Sequence, residues 1–505
     1  YKIIRLVELT YIYTNPTLMS ESLIITIVVL YFSLLFLVSQ LTKGKSDNKT
    51  FFSGNKESPW YIVAFGMVGA SLSGITFISV PGDVGSIDFT YFQVVIGYLF
   101  GYIIVAFVLL PIYYKYNLTS IYEYLGDRFG RNSHMTGAFF FFISRVLGAA
   151  FRLFLVAIVL QEFVFNSWGV PFEMTVILSI LLIWIYTFRG GIKTVVWTDT
   201  LQTFLMILSV ILSIYFITNS LDLTFSDYLK SDDFNMQNRI FVTDSLLEKN
   251  HFIKSFIGGV FITVCMTGLD QDMMQKNLTC KTLHDAQKNM VVFSFILVGV
   301  TFIFLILGAL LFTFAENNNV LMPILNGREN TDLLFPQIAL NGGLDITLSI
   351  TFLLGLIAAA YSSADSALTS LTTSFCIDFL DIEKKSETTQ KKLRFYTHIF
   401  MSVILIVVIV VYKNYLSTSV IDSLLIIAGF TYGPLLGLFA FGILTEYKIH
   451  DSLSIFVCMI SVLIITVIFY LPPELIGGYK IGYELLPLNG LITFIGMYVI
   501  RKTTT

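Results

Sequence analysis

Residues 66–82 read Gly-Met-Val-Gly-Ala-Ser-Leu-Ser-Gly-Ile-Thr-Phe-Ile-Ser-Val-Pro-Gly. They lie in an apolar run over 59–80, and a helix needs about 20 such residues to cross a bilayer. The middle of this run is nevertheless small and hydroxyl-rich, and Pro81-Gly82 predicts its end. Irregular backbone is tolerated at membrane depth only inside protein or beside a cavity. The stretch therefore predicts an interrupted helix within a bundle, not a simple anchor.

A second run, 252–273, has the same character, with Gly258-Gly259 followed by Thr263, Thr267 and Gly268. Each of the two opens a set of five helices, over 59–218 and 252–444. Interrupted helices at matching positions of two halves point to a transport site at the bilayer midplane. The alternative is that small residues merely let helices pack closely.

The rest of the chain agrees with a membrane bundle. Of 505 residues 55% are hydrophobic and 13% charged, with mean hydropathy +0.79. A soluble chain carries about 25% charged residues, so a soluble enzyme is excluded. The net charge of −3 favours neither nucleic acid nor an anionic surface as partner. Four scattered cysteines and five histidines have no metal-ligand or disulfide spacing.

Thirteen spans are expected: 21–41, 59–80, 89–114, 135–163, 170–188, 192–218, 252–273, 289–315, 345–380, 395–413, 418–444, 451–471 and 486–500. With 42–58 inside, the cytoplasmic loops hold 20 of the 31 basic residues and the outer loops 7. This bias places the N-terminus outside and the C-terminus in the cytoplasm, in a plasma membrane such as a bacterial inner membrane. Residues 1–18, before Met19, are expected to be an extension. Residues 19–58 form an extra helix and loop, 219–251 an extracellular loop, and 445–505 two C-terminal helices. The absence of a Walker motif argues against a primary pump.

Ionisable residues inside the membrane cost at least about 2.5–3.5 kcal/mol each and so face a cavity or a partner. Arg145 and Arg152 share a face of the fourth span, seven residues apart. Asp199 lies in the sixth span and Asp365 in the ninth, within Ser362-Ser363-Ala364-Asp365-Ser366. Carboxylates beside serine hydroxyls are hard oxygen ligands suited to Na+. The other reading is a structural Arg–Asp pair.

At these residues the chain resembles the sodium/solute symporter family over about 20–500. Thr119-Ser120-Ile121-Tyr122-Glu123-Tyr124-Leu125 with Arg128-Phe129 is similar to the family's cytoplasmic motif after the second core helix. Arg189-Gly190-Gly191-Ile192-Lys193-Thr194-Val195-Val196-Trp197-Thr198-Asp199 with Gln202 is similar to its most recognisable segment. Asp270-Gln271 with Gln275-Lys276 matches its loop after the sixth core helix, and Ala358 to Ser363 the sodium-binding part of the eighth.

The resemblance implies an all-α membrane protein of thirteen helices, with a LeuT-type inverted repeat of five plus five. It implies a first Na+ on the carbonyls of Gly69, Leu72 and Ala359 and the hydroxyls of Ser362 and Ser363. A second Na+ would use Asp199, Ser362, Asp365 and Ser366; Asp365 stands where sialic acid symporters of the family have a serine. Within the family the pattern is most similar to the branch carrying sialic acids and related organic anions. Its substrate hydroxyls map to Ser71, Ser73 and Thr76, and its Phe and Gln to Phe89 and Gln93. Its carboxylate-binding Arg maps to Gly148, with Arg145 and Arg152 one turn to either side.

The expected function is therefore sodium-coupled import of a small organic solute, such as a sialic acid, by alternating access. At 100 mV two Na+ would supply about 4.6 kcal/mol, of which a monoanionic solute takes back about 2.3. A neutral sugar or polyol, or proton coupling through neighbouring Asp199 and Asp365, are the alternatives. Lipid, Na+ and the solute are the expected partners; no organic cofactor and no enzymatic chemistry are expected.

Overall fold

The computed structural model describes residues 20–42, 51–52, 54–325, 328–413 and 420–502. The expected extension 1–18 lies outside these residues, as do the side chains of Arg189 and Gly190. The described chain is almost entirely helical. Its only sheet among the described residues is the hairpin Ile324–Leu325 with Arg328–Glu329, in the loop between the eighth and ninth expected spans.

Ten described helices are long and apolar enough to cross a membrane, and an eleventh crossing is a bent pair, Phe252–Gly268 with Gln271–Asn277. The two further expected spans are shorter apolar helices, Phe172–Ile185 and Leu485–Val499. On length alone the expected count of thirteen is thus not reached. Phe172–Ile185 belongs to a helical stretch, Phe172–Ser220, broken at Gly191 (φ 55°, ψ −154°). Gly191 turns the chain with no intervening loop, and a Cβ there would fall 2.7 Å from the Phe51 carbonyl oxygen. Only glycine adopts such a conformation at little cost.

The lipid-facing surface is legible in side-chain exposure. Phe400, Val403 and Val407 of Glu387–Tyr412 and Phe456, Met459 and Leu463 of Asp451–Phe469 are exposed. In water such patches would aggregate, whereas against lipid they are neutral. The helix Trp60–Ile87 is by contrast mostly buried, packed against Leu283–Asn317, Gly191–Ser220 and Ile346–Phe379.

Trp60–Ile87 is broken within its small, hydroxyl-rich middle, as expected, but it does not end at Pro81-Gly82. The break is at Ser73 (φ 38°, ψ 172°), and the helix continues through Pro81 to Ile87. The Leu283–Asn317 helix backs onto the proline at Gly308, where a Cβ would stand 2.9 Å from the Pro81 Cα. Such close protein packing is what allows a proline inside a membrane helix.

The second interruption is sharper. Phe252–Gly268 ends at Leu269-Asp270, and the short helix Gln271–Asn277 leaves it at 68°. Asp270 caps the short helix through the N–H groups of Asp272 (2.8 Å) and Met273 (3.3 Å). Gly258 and Gly259 do not make the break. Gly259 lies against the Val94 carbonyl and Gly258 against Tyr483, so both serve close helix packing.

Candidate functional site

A helix that stops loses the regular partners of its last carbonyls. At Ser73, with helical backbone up to Leu72, those carbonyls begin at Ala70, just after Gly69, and include Leu72. Ser73, a non-glycine residue at positive φ, holds a conformation that costs about 1–3 kcal/mol. Its neighbour Gly74 brings the break against the serine-rich helix: a Cβ at Gly74 would lie 3.9 Å from the Ala360 Cα. The Gly69 N–H donates to Thr203 Oγ1 (2.9 Å), and a Cβ at Gly66 would sit 3.3 Å from Asp199 Cβ. Small residues of the broken helix thus let it approach both the Asp199 helix, at Gly66 and Gly69, and the serine-rich helix, at Gly74.

The Ser363 hydroxyl bonds back to the Ala359 carbonyl at a long 3.4 Å, leaving its oxygen lone pairs open. Ser362 donates to Asp199 Oδ1 (2.7 Å). Ser362, Asp365 and Ser366 lie within about one helix turn, with Asp365 between the Tyr361 and Ser362 directions. Tyr361 packs on Tyr31 and Phe32 of the first helix, and Asp365 lies within electrostatic reach of Tyr31 and Lys276.

Beneath this turn lies a buried ionic network that the sequence reading missed. Lys276 Nζ stands 2.7 Å from Asp199 Oδ2 and 4.0 Å from Asp272 Oδ1. Asp272 also takes the Arg145 guanidinium and the Ser366 hydroxyl. Arg145 reaches Asp270 Oδ2 at 3.9 Å, and the Tyr432 hydroxyl donates to that same oxygen. All of these side chains are buried. Asp270 and Asp272 fall at the end of the expected span 252–273 and Lys276 in the loop expected after it; the detectable signal was Asp272 and Lys276 four residues apart, the spacing of a helical ion pair.

Above the broken turn is a cavity of about 80 Å³ lined by Ser71, Ser73, Thr76, Tyr102, Arg145 and Arg152, among others. Arg145 is committed to its carboxylates. Arg152 is not: among the described residues it has no ion pair, and its Nε has no hydrogen-bond partner. Leu424 and Leu425 close one wall of this cavity, and a Cβ at Gly148 would be 3.6 Å from Leu424.

Phe89 and Gln93 are placed elsewhere. Gln93 accepts from the Val242 N–H (3.0 Å) and donates to the carbonyls of Asn250 (3.0 Å) and Thr90 (3.1 Å). Phe89 packs edge-on against Phe234 and Phe302. Both therefore anchor the 219–251 segment to the bundle and do not line the cavity.

Two of the motifs quoted from the sequence, 119–129 and 270–276, clasp one another. Gln271 accepts from the Ile121 N–H (3.0 Å) and donates to the Thr119 carbonyl (2.8 Å). The Tyr122 hydroxyl donates to the Leu269 carbonyl (2.9 Å), beside the break. Arg128 binds the carbonyls of Gly442 (3.2 Å) and Thr445 (2.7 Å), holding the end of Ser423–Leu444.

The sequence pattern described as "Sodium:solute symporter family" matches residues 51–447. The chain belongs to this family of transporters. The sodium/sialic acid symporter NanT of Aliivibrio fischeri is 27% identical over 417 residues, covering 79% of this chain and 78% of NanT. SiaT of Proteus mirabilis, also a sodium/sialic acid symporter, is 24% identical over 84% of this chain and 85% of its own. A solved Na+-coupled sialic acid symporter, substrate-bound and outward-open, superposes with a TM-score of 0.81 at 21% identity, over 95% of this chain and 99% of that one. That likeness establishes the LeuT-type fold of this symporter. An integral membrane location follows from the family.

Proposed function

We propose that the protein is a sodium-coupled importer of a carboxylated sugar, a sialic acid or a close relative, working by alternating access. The observation that carries the anionic choice is Arg152, a buried guanidinium that faces the cavity with no carboxylate of its own. Asp270 and Asp272 act on this charge only from beyond ion-pair distance, and a neutral solute would add no direct partner for it. A solute carboxylate would take it up in a charge-assisted bond. Ser71, Ser73 and Thr76 supply hydroxyls for the rest of the solute.

Na+ binds beside the Ser73 break, on the carbonyls of Gly69 and Leu72, opposite the Ala359 carbonyl and the Ser362 and Ser363 hydroxyls. An ion there bridges the broken helix to the serine-rich helix and fixes the turn that carries Ser71 and Ser73. Sodium binding therefore orders the solute site, and by linkage the solute tightens Na+ equally. The termini lie outside (N) and in the cytoplasm (C), as the basic residues dictate. Domain roles follow the expected halves, 59–218 and 252–444, rocking about this site.

Thermal unfolding of the purified protein tests the reading. N-acetylneuraminate is expected to raise the midpoint in Na+ and to have no effect in its absence. Equal stabilisation by neutral hexoses, or stabilisation independent of Na+, would contradict it.

A further inference from the structure

The residues expected to hold a second Na+ are already facing a cation. Lys276 Nζ lies 2.7 Å from Asp199 Oδ2, and Ser362 occupies the other Asp199 oxygen at 2.7 Å. Ser366 donates to Asp272, a carboxylate that also faces Lys276. Serine oxygens that donate a proton can still ligate, so what opposes a metal here is the Lys276 ammonium on the Asp199 carboxylate, with Asp365 within electrostatic reach of the same ammonium. A Na+ at Asp199 would have to sit beside the ammonium, where two like charges repel with little water to screen them.

Lys276 is also held in place. Its neighbour Gln275 donates to the Phe52 carbonyl (2.7 Å) and to Thr373 Oγ1 (3.1 Å). On the other side Asn277 accepts from Asn289 (2.6 Å), and Gln271 ties the start of the short helix to Thr119 and Ile121. The side chain is 0% exposed, so it has no water to turn toward. Releasing Asp199 to a metal ion would leave the ammonium buried among fewer countercharges, which is strongly unfavourable.

We propose that Lys276 is a tethered cation standing in for a second coupling ion, so that the transporter binds and moves one Na+ per cycle. This rests on the sodium-coupled reading above. One Na+ moving with one monoanionic solute carries no net charge, and Lys276 stays with the protein. The membrane potential then drops out of the driving force, and the Na+ concentration gradient alone supplies it.

Equilibrium binding of radioactive sodium to the purified full chain tests this without a solute. The wild type is expected to saturate at one Na+ per chain, Lys276→Arg at one, and Lys276→Gln at two, because Asp199 then regains an open oxygen. Two ions bound by the wild type would overturn the proposal, as would a folded Lys276→Gln that still binds one. Should Lys276→Gln fail to fold, the wild-type count decides by itself. An absence of saturable Na+ binding in the wild type would instead contradict the sodium-coupled reading. A second readout is N-acetylneuraminate uptake into proteoliposomes under an imposed potassium diffusion potential. Insensitivity of the initial rate to that potential is expected; a rate that rises with inside-negative potential would overturn the single-ion account.

Discussion

Arg145 and Arg152 share a helix face, yet their surroundings separate them. Arg145 is paired with Asp272 and near Asp270, so Arg145→Gln should destabilise the protein by about 3–5 kcal/mol through the carboxylates it strands. Arg152→Gln should leave the unfolding midpoint near that of the wild type. It should raise the solute half-saturation about 10- to 100-fold, the loss of about 1.5–3 kcal/mol expected for a charge-assisted bond. Thermal unfolding and uptake kinetics on both variants check the contrast, and equal behaviour would refute the division of roles. The pair was legible in the sequence as two buried charges on one face. Which of them is partnered was not, because Asp270 and Asp272 fall at the end of another expected span, 252–273. Ser363→Ala tests the first sodium position: the Na+ half-saturation of uptake should rise about fivefold, corresponding to about 1 kcal/mol. A serine present only for packing would leave it unchanged.

At the scale of elements, the short helix Gln271–Asn277 is the part that positions charge. Seven residues are too few for a stable helix alone. It persists through the Asp270 cap and the grip of Gln271 on Thr119 and Ile121. Gln271→Ala removes two buried hydrogen bonds, a loss of about 2 kcal/mol. Hydrogen exchange over 271–277 should accelerate about 30-fold in this variant while exchange in Leu283–Asn317 stays slow. Unchanged protection in the short helix would show that the clasp does not hold it. The motifs on both sides were visible as separate sequence signals; their interlocking was not, since more than 140 residues separate Gln271 from Thr119. The break at Ser73 has the same character. Small and hydroxyl residues announced an interruption, and Pro81 drew the expected end to the wrong place. A neighbouring helix packed at Gly308 accommodates the proline, and no local pattern reports such a neighbour.

Across the whole molecule, hydropathy decided the architecture because lipid requires every exposed span to be apolar for about 20 residues. That requirement made the long spans readable. It does not report where one helical stretch divides in two: Phe172–Ser220 is broken at Gly191, whose positive φ turns the chain with no loop between. The transport core is the opposite case: a few polar residues set function against the background of hydropathy, and their pairing is fixed only when distant helices meet. The account joins a sodium position at the Ser73 break to an anion position at Arg152 in a single coupled site. Its central claim is that a Na+ gradient drives uptake of a carboxylated sugar. Purified protein in proteoliposomes with high Na+ outside should accumulate N-acetylneuraminate above its external concentration, and collapsing the Na+ gradient with an ionophore should release it. Accumulation that persists without Na+ and follows an imposed proton gradient would contradict the account.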